Sequence, residues 1–328
     1  MDHSEHPGQP QRPPASAHLL IDSLDRYDQN NLGGYADPNY YLVQYLDGAD
    51  PPAVNFSIDR NQPVMNGYFT RVAITQIQLD YQLPTVLENF NSRLYMRYTQ
   101  GATTTSVIVD ISGGWFTPNT LATNLENAIK NGLAAAAVPN AAFTVDYNTI
   151  SCSFDFNTNN ADLFGFTLNP TGLDPIAQRQ WLRAQRLVGL TQNQLLPIVA
   201  NPAVSRLVAN RAPTLIYTSY IDFISRNLTK YQRVKDTDTA SVDPRSFIIA
   251  RLYLVPPNTL QKLTPDDAFG STPFTICVDY NTPKHIRWSP SEAIGQIDIQ
   301  LLDEYGEELP WDTFFPTEFQ LTMIATET

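Results

Sequence analysis

A rhythm of two runs through most of this chain, and a single block breaks it. Alternating apolar and polar residues give a strand one buried face and one wet face. Val72 and Ile74 share one face, and Ile77, Leu79 and Tyr81 share the next, with the phase slipping at Gln76. A slip inside one long strand predicts a β-bulge or a bend. Further strands are expected at Arg93 to Thr99, Val107 to Ile111, Leu215 to Ser225, Phe247 to Val255, Phe274 to Tyr280, His285 to Ser289, Gln296 to Leu302 and Thr317 to Ala325. The segment Phe247 to Val255 is apolar on both faces except at Arg251, which predicts a central strand. Turn residues at Pro256-Pro257, Pro283, Pro290 and Tyr305-Gly306 separate these strands. About eight strands outside the block fit an antiparallel sandwich of two sheets.

The block lies at 101–205. Thr117-Pro118 is a helix start, a hydroxyl cap followed by proline, and Leu121, Leu125, Ala128, Ile129 and Leu133 fall on one helical face. Phe143, Val145 and Tyr147 then alternate, and a tight turn at Asn148-Thr149 is expected to lead into a strand with Ile150, Cys152, Phe154 and Phe156 on its apolar face. Asp174-Pro175 repeats the helix start, ahead of a stripe of Ala177, Trp181, Ala184 and Val188. The expected organisation is a proline-rich arm at 1–17, a β body at 18–100 and 206–328, and an α+β insertion at 101–205. The arm lacks large apolar residues and is expected to be flexible.

Composition narrows the function. Charged residues are only 16% of the 328, so much of the surface must be neutral and polar, better suited to facing protein than water. The net charge of −12 argues against a folded body that grips nucleic acid, which needs a basic face. No apolar run reaches the length of a membrane span, and the first twenty residues lack a signal-peptide layout. Two cysteines, Cys152 and Cys277, cannot build a disulfide framework or a structural zinc site. The expectation is a soluble protein made in a reducing compartment.

Catalytic chemistry finds little to stand on. His285 is the one histidine in the body outside the N-terminal region, and it sits between basic neighbours, as a solvated strand residue would. No nucleophile elbow, phosphate loop, dinucleotide glycine pattern or zinc-protease helix occurs. Asp236, Asp238 and Asp243 could offer oxygens to a cation but lack the EF-hand pattern. Glu304, Glu307 and Glu308 read as a solvated turn. The tyrosines Tyr35, Tyr40, Tyr41 and Tyr45 form either a contact surface or packing. No enzyme and no cofactor is expected.

Three segments, with a fourth near the C-terminal end, carry a resemblance. They are Leu20-Ile-Asp-Ser-Leu-Asp-Arg26; Gly113-Gly-Trp-Phe-Thr-Pro-Asn-Thr-Leu121 with Phe143-Thr-Val-Asp-Tyr147 and Leu163-Phe-Gly-Phe166; and Ser219 to Asp236 with Ile248-Ile-Ala-Arg-Leu-Tyr253. The fourth is Gly295 to Gly306. In their order and spacing these resemble the minor capsid, or penton, proteins of virophages and polinton-like viruses. The resemblance implies a single jelly-roll β-sandwich with an α+β insertion. It implies a homopentamer closing each five-fold vertex of an icosahedral double-stranded DNA virus, beside a double jelly-roll major capsid protein. It places the protein in the virion, after synthesis in the cytoplasm of the infected cell, and implies no catalytic residue. A host receptor could meet the insertion. The alternative is a jelly-roll glycan- or receptor-binding module with Trp115 or Trp181 as contact residues. The densest basic stretch of the body, Arg226, Lys230, Arg233 and Lys235, is the expected subunit contact, because copies that each carry −12 need opposite charge at their seam.

Overall fold

The structure is a computed structural model. It describes residues 16–23, 54–59, 63, 65, 69–138, 142–158, 161–167, 175–197, 200–231, 247–254, 272–289, 292–310 and 318–327. In chain order the strands begin with β1 (Ser16–Asp22), β2 (Asn55–Asp59) and β3 (Arg71–Tyr81). Next come β4 (Arg93–Gln100), β5 (Thr103–Asp110), helix α1 (Pro118–Ala135), β6 (Phe143–Asn148), β7 (Ser153–Thr158), β8 (Asp162–Phe166), helix α2 (Pro175–Leu187) and β9 (Arg206–Val208). The chain continues with β10 (Tyr220–Ile224), the helical turn α3 (Arg226–Thr229), β11 (Ile248–Tyr253), β12 (Phe274–Asp279), β13 (Ile286–Arg287), β14 (Gln296–Leu302) and β15 (Glu318–Thr326). Two compact units result, one of Met1–Tyr81, Thr218–Val255 and Thr275–Thr328, the other of Gln82–Tyr217 and Pro256–Phe274.

The first unit is an antiparallel β-sandwich. One sheet runs β1-β15-β3-β12, with β13 also on β3, and the other runs β11-β10-β14-β2. Alternation decides which side chains meet between them. Phe319, Leu321, Met323 and Ala325 of β15 are buried, as are Ile221 and Phe223 of β10 and Ile297, Ile299 and Leu301 of β14. The Phe319 ring lies 5.3 Å from Phe223 and 5.9 Å from Phe56, so these three rings tie the sheets together. At the β11–β12 side the Tyr280 hydroxyl donates to the Arg251 carbonyl at 2.7 Å. Burial pushes that phenol up to about 12, so it stays protonated as a donor at neutral pH.

The phase slip in β3 is a bulge. Gln76 pairs with Thr322 and Ile74 with Met323, leaving Thr75 as the extra residue. The Thr75 hydroxyl donates to the Thr322 carbonyl at 3.2 Å, so Ile74 and Ile77 can both face the core. Two expectations need correction here. Strand β1 starts at Ser16, inside the expected arm, because β15 extends to Thr326 and pairs with it. Strand β11 is an edge strand rather than a central one. Its second face looks apolar in sequence, but Tyr253 is 56% exposed and Arg251 reaches out to Asp222.

The second unit has two three-stranded sheets, β5-β4-β8 and β6-β7-β9, with helices α1 and α2. Its core gathers Leu94, Met96 and Tyr98 of β4, the stripe of α1, Trp181, and five phenylalanines from β6, β7 and β8. Strand β4, placed in the body by the sequence reading, belongs to this core because its inner residues Leu94, Met96 and Tyr98 join the same buried cluster as the apolar stripe of α1 and Trp181 and Ala184 of α2. The expected hairpin turn also differs. Asn148 Oδ1 accepts from the backbone N–H groups of Ile150 and Ser151, Cys152 takes φ 51°, and Ile150 is 95% exposed. Residues 149–152 are therefore the loop, and Val145 pairs with Phe156 and Tyr147 with Phe154.

Helix α1 begins as expected, with the Thr117 and Thr120 side chains each accepting from the other's backbone N–H. Near its end a Cβ on Gly132 would lie 2.4 Å from the Ile108 carbonyl oxygen of β5. Gly132→Ala should therefore destabilise the unit by about 1–3 kcal/mol, because a backbone oxygen cannot swing aside. The roughly 1 kcal/mol of helix propensity that alanine adds does not offset this. Chemical denaturation of the variant tests it, and a gain in stability would refute the close approach.

Candidate subunit-contact surface

Of the four basic residues expected at a subunit seam, the structure describes Arg226 and Lys230; Arg233 and Lys235 lie outside the described residues. The chain leaves β10 at Ser225, whose hydroxyl accepts from the Leu228 N–H and so starts α3. Asp298 of β14 holds the same turn. Its carboxylate accepts from the N–H groups of Arg226 and Asn227, both at 2.9 Å, and from the Ser225 hydroxyl at 2.7 Å. One carboxylate thus satisfies two helix-start donors and fixes where Arg226 and Lys230 project.

Their charges are used differently. Arg226 is exposed, and its guanidinium lies 6.0 Å from the Phe247 ring. Lys230 is ion-paired with Glu292, and its ammonium sits 5.1 Å over Trp288 and 5.0 Å over Tyr231. Tyr231 and Trp288 meet edge-on at 5.4 Å, and the Trp288 indole N–H donates to the Glu292 carbonyl at 2.8 Å. Among the described residues Arg226 is thus an exposed charge with only a ring contact, and Lys230 is part of a neutralised aromatic cluster.

On both outer sheet faces amide and hydroxyl side chains bond to one another and to a few carboxylates. On the first sheet Gln320 donates to Asp22 at 2.7 Å, Thr275 to Asp80 at 2.6 Å, and Gln76 to the Cys277 sulfur at 3.7 Å. On the second, Asn55 and Gln300 both donate to Glu308 at 3.0 and 3.1 Å, and Gln296 donates to Ser57 at 2.8 Å. Glu308 is thus bound into the sheet surface rather than left as a solvated turn.

The residues that carried the family resemblance hold structural posts. Ser23 is fully buried and its hydroxyl accepts from the Phe319 N–H at 3.0 Å, pinning the end of β1 to β15. Asp222, 2% exposed, receives Arg251 through two bonds of 2.6 and 2.8 Å, and Arg251 also lies 4.0 Å over the Tyr220 ring. The hydrogen bond to Asp222 holds the guanidinium pKa well above the usual arginine range. Asp298, the anchor of α3, was missed by the sequence reading. Its signal is a lone acid at an outward position of an alternating strand.

The other candidates resolve as follows. Trp181 is buried at 5% exposure in the core of the second unit, which removes it as a contact residue, while Trp115 is half-buried. His285 is exposed beside β13. Cys152 and Cys277 are both free and exposed. Among the described residues no group of three His, Cys, Asp or Glu side chains is arranged to hold a metal. Asp236, Asp238, Asp243 and the Tyr35–Tyr45 tyrosines lie outside the described residues. No described helix is long and apolar enough to cross a membrane.

The chain matches no known family profile and no curated protein. Among solved structures it is similar to the selenomethionine-labelled mavirus penton protein. The TM-score is 0.46 and the identity 12%, over 96% of this chain and 99% of that one.

Proposed function

We propose that this chain is a structural capsid subunit of the virion, five copies of which close a vertex of an icosahedral double-stranded DNA virus shell. The observation that carries the reading is the strand order. With the two-residue β13 left aside and the other eight described strands of the first unit numbered along the chain, the sheets run 1-8-3-6 and 5-4-7-2. Each sheet interleaves strands from both ends of the chain, an order that supports a single jelly roll, an architecture of viral capsid domains. The second unit enters between the third and fourth of those strands. The low charge and the amide- and hydroxyl-lined outer faces suit burial against other capsid proteins, including a double jelly-roll major capsid protein. A host receptor would meet the inserted unit.

Native mass spectrometry of the purified chain tests this. A closed ring of five supports it; a monomer or trimer that binds glycans supports a jelly-roll binding module instead. Reversing Arg226, Arg233 and Lys235 to glutamate should weaken the ring, most strongly at low salt where charges are least screened. Rings that form unchanged with all three reversed would remove this stretch from the seam.

A further inference from the structure

A second cationic site lies in the first unit, away from α3 in sequence. Strand β13 pairs with the start of β3, and the register sets Arg287 directly opposite Arg71. The Trp288 N–H donates to the Thr70 carbonyl at 2.9 Å, which continues that pairing. Arg71, His285 and Arg287 are exposed and, with Thr70 and Trp288, line one open hollow. Side chains directly opposed on antiparallel strands stand about 4.5–5.5 Å apart at Cβ, where like charges destabilise the sheet. Elsewhere among the described residues several cations of this acidic chain meet carboxylates: Arg93 meets Asp110, Arg206 meets Asp155, and Arg251 meets Asp222. Among the described residues no carboxylate meets Arg71 or Arg287.

Two arginines set opposite each other in register and lining one hollow with His285 are suited to gripping an oxyanion through paired N–H bonds. We propose that Arg71, Arg287 and His285 form a carboxylate-binding site that takes an acidic segment of a second copy of this chain. The proposal rests on the capsid reading only in requiring that copies associate. Charge favours this partner over nucleic acid. A body of net −12 repels nucleic acid and a second copy alike, but a copy can present a few of its 33 Asp and Glu to the local positive field and keep the rest away from the seam, which evenly spaced phosphates cannot do. A head-to-tail ring also needs two unlike surfaces on each subunit. The site is continuous with the α3 turn, because Trp288 lines the hollow and lies under Lys230.

The test compares the full chain with Arg71→Gln/Arg287→Gln by sedimentation velocity at low and moderate salt. Self-association should weaken tenfold or more and lose much of its salt dependence. The melting temperature should stay level or rise, since two opposed charges are gone. Arg71→Lys/Arg287→Lys, which keeps charge without the fork, should fall between the two. Unchanged association in the folded glutamine variant overturns the site and leaves the capsid reading standing; a wild-type chain that stays monomeric at every concentration overturns both. Short duplex DNA that binds the wild type and not the variant, with association unaltered, would assign the site to phosphate and also overturn the proposal.

Discussion

Phe319→Ala should cost the sandwich about 3–5 kcal/mol, the usual range for removing a fully packed phenylalanine. The ring is 2% exposed and touches Phe56 and Phe223 of the facing sheet, so its loss opens a void between the two layers. The second unit has its own core, built from β4 to β9 and two helices, and contains none of those three rings. Hydrogen exchange should therefore quicken at the amides of β3, β14 and β15 while those of β4, β7 and β8 keep their protection. A uniform loss of protection across the chain would show that the two units unfold as one.

Arg251→Met should be nearly as damaging, at about 3 kcal/mol. Asp222 would be left as a buried charge without its partner, and removing one side of a buried pair costs about 3–5 kcal/mol. The low end applies because the Arg251 side chain is 33% exposed, which lets water and salt screen the pair. The mechanism is separable from packing. Adding Asp222→Asn to Arg251→Met removes the stranded charge and should restore more than half of the loss in urea denaturation. If the double variant were no more stable than the single, lost stacking on Tyr220 rather than the buried carboxylate would be the cause.

Periodicity read the local structure well wherever one face of an element is buried and the other is not. Strand β14 runs over Gln296–Leu302 as expected, α1 starts at the Thr117 cap, and the bulge at Thr75 lies next to the expected slip. Strand β2 went unread, because its alternation of Val54, Phe56 and Ile58 with polar residues spans only three apolar positions before it stops. The loop of residues 149–152 was misread because Ile150 and Cys152 continue the apolar alternation. What breaks the strand there is an asparagine side chain bonding to the backbone, a competing local interaction that alternation does not register.

The basic stretch proposed as a contact was half legible. A dense run of lysine and arginine is visible in any sequence, but its electrostatic state is not. Glu292 neutralises Lys230 from 62 residues away, and Arg71 is brought opposite Arg287 from the far side of the inserted unit. Ser23, Asp222 and Asp298 behave alike: each looks like an ordinary polar strand residue until its partner, Phe319, Arg251 or the α3 turn, is set beside it.

The sequence by itself determined most of the strands, both long helices and which of their faces are apolar, because those depend on spacing within a few residues. Only the tertiary structure decided which sheet each strand joined, that β4 packs with the inserted core, that β11 lies at an edge, and which charges meet. Strand pairing joins segments hundreds of residues apart, as Ser16 with Thr326, and backbone hydrogen bonds are nearly the same for any partner. The choice among partners is made by how whole buried faces fit together, and that fit is a property of the assembled core.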